Sequence, residues 1–172
     1  MNSAILTKII KPAYVKLLKW ALVFFLLIIA QIYVLNFFSL EFRPNTVVKP
    51  DIVLIFLFFF GIRYSQLTST LTGFASGFFL DALGGGMLGL HALTKTVAGF
   101  LMGYVPRTHK IHKIVQFCLL FFTISIIHDM LYNAIYIINT ELGFWRLLFV
   151  HSLSSTIYSV FIGSIIYYWL KR

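Results

Sequence analysis

Residues 73–93 read GFASGFFLDALGGGMLGLHAL, and the reading of this stretch decides the fold. An aspartate, three consecutive glycines and a histidine interrupt a run otherwise apolar enough for a membrane interior. The rest of the chain is of the same kind. Hydrophobic residues make up 60% of its 172 positions and charged ones 11%, with a mean hydropathy of +0.92. A soluble domain of this size is nearer half apolar and a quarter charged. Nineteen charged side chains cannot cover a soluble core, so the sequence implies an all-α integral membrane protein.

Four-residue steps organise the stretch and its continuation. Ser69, Gly73, Gly77 and Asp81 recur every fourth residue, and so do His91, Lys95, Gly99 and Gly103. Residues four apart share a helix face. Gly73-x-x-x-Gly77 and Gly99-x-x-x-Gly103 are small-xxx-small patterns that let helix backbones approach closely in lipid. Gly84, Gly85 and Gly86 supply a tight turn between two helices of an antiparallel hairpin. Side chains lean toward their own helix N-terminus, so Asp81 and Lys95 lean toward each other across a depth difference of roughly 8 Å. An Asp81–Lys95 pair is expected, with His91 competing for the carboxylate.

Working outward, a helical crossing needs about 20 apolar residues for about 30 Å of hydrocarbon. Six spans follow, at about 20–38, 51–63, 67–83, 88–105, 114–138 and 147–170, which make residues 20–172 one transmembrane domain. The second and third are two short spans turning near Arg63, or else one long broken span. The first follows four lysines like a signal peptide, yet its apolar run is too long and no small-x-small cleavage site follows. Residues 1–19 alternate at helical spacing, with Lys8, Lys11 and Lys19 on one face, as in a basic helix lying on an anionic leaflet.

Charge sets the orientation. With the N-terminus inside, inner segments hold ten Lys and Arg and outer segments three (Arg43, Lys49 and Arg146), which places both termini in the cytoplasm. Trp20, Trp145 and Trp169 fall at span ends, as in an aromatic belt. The net charge of +9 does not indicate nucleic-acid binding, because the basic residues sit between apolar runs and form no patch interleaved with aromatics. Cys118 has no second cysteine to pair with.

The outer half of the bundle gathers further polar groups. The fifth span carries His128 and Asp129, with Ser125 and Asn133 on the Asp129 face; the sixth carries His151, Ser155, Ser159 and Gly163. Charged groups at membrane depth normally face the bundle interior and find partners. Asp81, His91, Lys95, His128, Asp129 and His151 thus form a candidate cluster with three readings. It is a packing network, or a pocket for a small ligand or a proton pathway, or a metal site built from the three histidines with Asp81 or Asp129. No ligand pair shows the spacing of a known metal motif. Walker, H-E-x-x-H and G-x-S-x-G signatures are missing, so the sequence gives no sign of an enzyme or of a cofactor.

Pro50-Asp51 at the head of a span, followed by Gly73, Phe74, Gly77, Asp81, Leu88, Gly89, Ala92 and Leu93 in order, resembles the signature of the rod shape-determining protein MreD family. Lys95 and His128-Asp129 fall outside that pattern. The resemblance implies a bacterial plasma-membrane protein of the cell elongation machinery, without catalytic activity. It also implies binding to the bitopic protein MreC and, through it, links to MreB filaments, the RodA glycosyltransferase and its class B transpeptidase partner. Homodimerisation is compatible with it. The implied fold is similar to the six-helix S component of energy-coupling-factor transporters, which makes a vitamin-binding S component the alternative function. S components tend to carry A-x-x-x-A in the first span, whereas Ala21 and Ala30 here are nine apart.

Overall fold

The computed structural model describes residue 15 and residues 19–34, 39–43, 46–105, 113–139, 145, 149 and 151–171. The basic segment expected over 1–19 therefore lies almost entirely outside the described residues, as does Arg146. Helix α1 is Lys19–Val34, with its last turn, Ala30–Val34, widened into a π-helix. A short antiparallel ribbon follows, β1 (Leu40–Arg43) against β2 (Thr46–Val48). An all-α reading does not include this ribbon; the β-branched run Thr46-Val47-Val48 favours the extended backbone. The remaining helices are α2 (Ile52–Gly61), α3 (Gln66–Gly84), α4 (Leu90–Tyr104), α5 (Ile114–Tyr136) and α6 (Ser152–Lys171).

Helix α2 is the hub of the packing. Asp51 caps its start by accepting from the Leu54 N–H at 2.8 Å. Val53, Leu54, Ile55, Leu57, Phe58 and Gly61 are all buried, so the helix has almost no free face. Phe56 and Phe60 meet Trp20 and Phe24 of α1, while Phe58 meets Phe117 and Phe121 of α5. Ten residues at 1.5 Å each give about 15 Å, half the hydrocarbon thickness, so α2 is shorter than the span expected at 51–63. The chain turns over Ile62–Ser65, and the Ser65 hydroxyl caps α3 through the Thr68 N–H at 3.2 Å. Helix α3 then runs back along α2: Val53 near the start of α2 packs with Leu80 near the end of α3, and Gly61 sits against Ser69. The broken-span alternative is thereby replaced by two antiparallel helices.

Helices α3 and α4 form the closest pair. A Cβ added at Gly73 would strike the carbonyl of Lys95, one at Gly77 the carbonyl of His91, and one at Gly99 the carbonyl of Ser69. One added at Gly103 would strike the Gln66 Cα. Each four-residue step along α3 thus answers a four-residue step along α4, which keeps the two backbones in contact over the length of the hairpin.

Burial runs against the pattern of a soluble protein. Ser69, Asp81, Thr94, Lys95, Ser125, His128, Asp129, Asn133, Ser152, Thr156 and Ser159 are buried, while Phe74, Phe78, Leu119, Phe161, Trp169 and many other large apolar side chains are exposed. The interior divides into two storeys. Around the C-terminal end of α2 it is apolar: Leu57, Phe58, Ala98, Met102, Phe117, Phe121 and Ile124 pack together, and Gly163 of α6 lets the two phenyl rings approach. Around its N-terminal end the interior is polar. Helices α5 and α6 are long and apolar enough to cross a membrane; α1 and α2 are apolar but shorter.

Candidate functional site: a polar storey inside the bundle

The Asp81 carboxylate completes the N-terminus of the next helix. The three-glycine run ends α3: Gly84 is its last residue and Gly85 takes the left-handed conformation (φ +69°). The second left-handed residue is Gly89 (φ +94°), the N-cap of α4, rather than Gly84 or Gly86. A glycine N-cap has no side chain to satisfy the first free N–H groups. Asp81 supplies it from across the turn: Oδ2 accepts from the Gly89 and Ala92 N–H at 3.0 Å each, and Oδ1 from the His91 N–H at 3.1 Å. Its negative charge also sits at the positive end of the α4 dipole. A carboxylate inside this apolar run is thereby accounted for.

The expected Asp81–Lys95 pair does not form. Lys95 is fully buried, and its ammonium pairs with Asp51 at the head of α2. Lys95 leans toward the start of its own helix, and α2 begins at that same end of the bundle, so Asp51 lies within reach while Asp81 is occupied by backbone. Asp51 is the principal residue missing from the sequence-based cluster. Its place as an N-cap after Pro50 was readable; its distance of 44 residues from Lys95 concealed the pairing.

The same corner collects α1 and α6. Gln31, in the π-turn of α1, donates from Nε2 to the Pro50 carbonyl at 3.2 Å and accepts from the Ile52 N–H at 2.9 Å. The Asp51 N–H donates to Ser159 Oγ at 3.0 Å. Gln31 carries no charge and fits no four-residue stripe, so only its isolation in an apolar span marked it.

A ladder joins α5 to α6. Asn133 Nδ2 donates to Ser152 Oγ at 2.8 Å, and Thr156 Oγ1 donates to Asp129 Oδ2 at 2.8 Å. His128 Nδ1 lies 2.9 Å from Asp129 Oδ1. The antiparallel register carries Ser125 to the level of Ser159. Across the bundle the His91 ring packs on Tyr132 at 4.8 Å, and Leu101 and Val105 share a groove with Leu119 and Ile124, so the α4–α5 register sets Lys95 level with His128. The Oγ of Ser125 and Nε2 of His128 are buried without a hydrogen-bond partner. His151 stands half-buried just before α6. Among the described residues no three His, Cys, Asp or Glu side chains converge as metal ligands, so the three-histidine reading has no geometry behind it.

An interior held by paired charges and hydroxyl ladders, wrapped in an apolar surface, defines a helical membrane protein. The chain belongs to the rod shape-determining protein MreD family, whose family model matches residues 14–172. Its role therefore lies in rod-shape determination. No curated protein and no solved structure matches the chain.

Proposed function

We propose that this chain is a non-catalytic scaffold of the bacterial cell elongation machinery. In this reading it is a six-span protein of the plasma membrane with both termini in the cytoplasm. It binds MreC, and through MreC it acts on MreB filaments, RodA and the class B transpeptidase, regulating peptidoglycan synthesis to maintain rod shape. Family membership over nearly the whole chain is the observation that carries this reading. The internal bonding supports it: Asp81 and Gln31 bind backbone, Asp51 binds Lys95, Thr156 binds Asp129 and Asn133 binds Ser152, as suits a rigid platform.

Partner docking falls to the outside of the bundle. Gly73, Gly77, Gly99 and Gly103 are consumed by the α3–α4 contact and are closed to a partner helix. With no hydrophobic drive between helices in lipid, a partner span needs close packing or interhelical hydrogen bonds at another face.

The test is a mild-detergent pull-down of the full chain from its native membranes, read by mass spectrometry. Recovery of a bitopic coiled-coil protein with wall-synthesis enzymes is expected. Recovery of ATPase and coupling subunits would overturn the scaffold and favour the transporter S component.

A further inference from the structure

The charges of this bundle are sorted by end. Asp51, Asp81 and Asp129 all belong to the polar storey, around the N-terminal end of α2. The opposite end carries cations. Arg63 follows α2 there, Lys19 opens α1 next to Trp20, whose ring meets Tyr64, and Lys113 is the exposed N-cap of α5. Residues 106–113, which join α4 to α5, include Arg107, Lys110 and Lys113 and no acidic residue.

A groove opens at this same end, between α4 and α5. Leu101 and Val105 of α4 face Leu119, Thr123, Ile124 and Ile127 of α5 around a volume of about 300 Å³. Val105 is the C-cap of α4, so the groove starts where α4 stops and α5 sets out from Lys113. From Leu119 to Ile127 helix α5 rises about 12 Å, close to the depth of about 15 Å that the hydrocarbon of one leaflet occupies.

We infer that this groove holds an acyl chain of an anionic phospholipid, with the lipid phosphate beside Lys113. The lining selects the tail. Among the described residues its one polar side chain is Thr123, which donates to the Leu119 carbonyl of its own helix at 2.8 Å and offers a polar ligand nothing. A partner helix fits no better. Close helix approach in lipid needs small residues or interhelical hydrogen bonds, and the described lining has no glycine, alanine or serine. A flexible hydrocarbon chain is thin enough to lie between leucine- and isoleucine-faced helices. Charge selects the headgroup. Basic residues beside a crevice between spans, at the membrane surface, attract anionic headgroups. Lys113 precedes Leu120 of the groove wall by about two helical turns, so it stands above that wall on the same face of α5. The inference rests on α4 and α5 crossing the membrane and on no particular protein partner.

The experiment is native mass spectrometry of the full chain in detergent micelles, supplied with equal amounts of phosphatidylglycerol and phosphatidylcholine of identical acyl chains. Wild type is expected to retain one phosphatidylglycerol, preferred over phosphatidylcholine by about fivefold or more, the factor that one cation near the surface confers. Thr123→Trp fills the groove from an exposed position and is expected to lose the retained lipid. R107Q/K110Q/K113Q keeps the groove and is expected to retain the two lipids equally. Equal retention by wild type overturns the proposal, whatever the variants do. So does a folded T123W protein that keeps its phosphatidylglycerol; if it loses a bitopic partner or a dimer instead, the groove belongs to that protein surface.

Discussion

Lys95 in the middle of α4 and Asp51 at the head of α2 form a buried ion pair across 44 residues of sequence. The pair ties the central helix to the α3–α4 hairpin, and Asp51 simultaneously caps its own helix through the Leu54 N–H. Removing one partner leaves an uncompensated charge, which costs about 3–5 kcal/mol. Lys95→Met is expected to destabilise the bundle by that order. Asp51→Asn preserves the cap, because asparagine caps as well as aspartate. The double variant, with neither charge of this pair left, is expected to be more stable than K95M alone. Unfolding of the four proteins in one lipid environment gives the coupling energy directly.

Asp81→Asn isolates charge from geometry at the head of α4. The amide can still accept hydrogen bonds, yet it loses the interaction with the helix dipole, and one of its two donor-facing positions now carries an NH2 group. A loss of about 1 kcal/mol is expected, rising to about 2–3 kcal/mol for Asp81→Ala, which strands three N–H groups at once. Thermal unfolding of both variants checks the order. Equal melting temperatures for D81A and wild type would contradict the cap.

These contrasts show which parts of the molecule a sequence can disclose. The α3–α4 contact was legible because it is local: Gly73 and Gly77, Gly99 and Gly103 recur at the helical period, and a short turn joins them. Polar residues inside an apolar run likewise mark an interior. Partner choice was not legible. Asp81 has the backbone of a following helix within reach, an option that pairing charges by type overlooks. Lys95 finds Asp51 because α2 begins at the same end of the bundle as α4, a relation fixed only once α2 has ended at Gly61 and α3 has turned back. Span length was also obscured. Residues 52–62 are apolar throughout, but hydropathy does not register the Ser65 cap that starts the next helix.

Glycines of equal rank in the sequence should respond differently to substitution. Gly77→Ala drives a methyl group into the His91 carbonyl, and Gly77→Leu is expected to prevent folding altogether. Gly84 and Gly86 face open space and have no left-handed backbone, so alanine there should leave stability within about 0.5 kcal/mol of wild type. Gly85→Ala, at φ +69°, should lose about 1 kcal/mol through backbone strain alone. Yield of folded protein, read by size-exclusion chromatography, orders the set. A folded Gly77→Leu protein that had merely lost its partner would show that this face belongs to the partner instead.

Gln31 tests whether the π-turn of α1 has a mechanical purpose. The widened turn places one amide where it accepts from the Ile52 N–H and donates to the Pro50 carbonyl, bracketing Asp51 on both sides. Ile52 is the first residue of α2, so its N–H has no intrahelical acceptor, and without Gln31 it would be a buried donor left unmade. Gln31→Leu removes both bonds while keeping the volume close, with an expected loss of about 2 kcal/mol. Gln31→Glu separates the two bonds: the carboxylate still accepts from Ile52, but its donation to Pro50 is lost and a negative charge is brought beside Asp51. If the bracket positions Asp51 for Lys95, Q31L and K95M should be non-additive, because loosening Asp51 already weakens the ion pair that K95M removes. Additive losses in that double-mutant cycle would confine Gln31 to anchoring α1, with no influence on the ion pair.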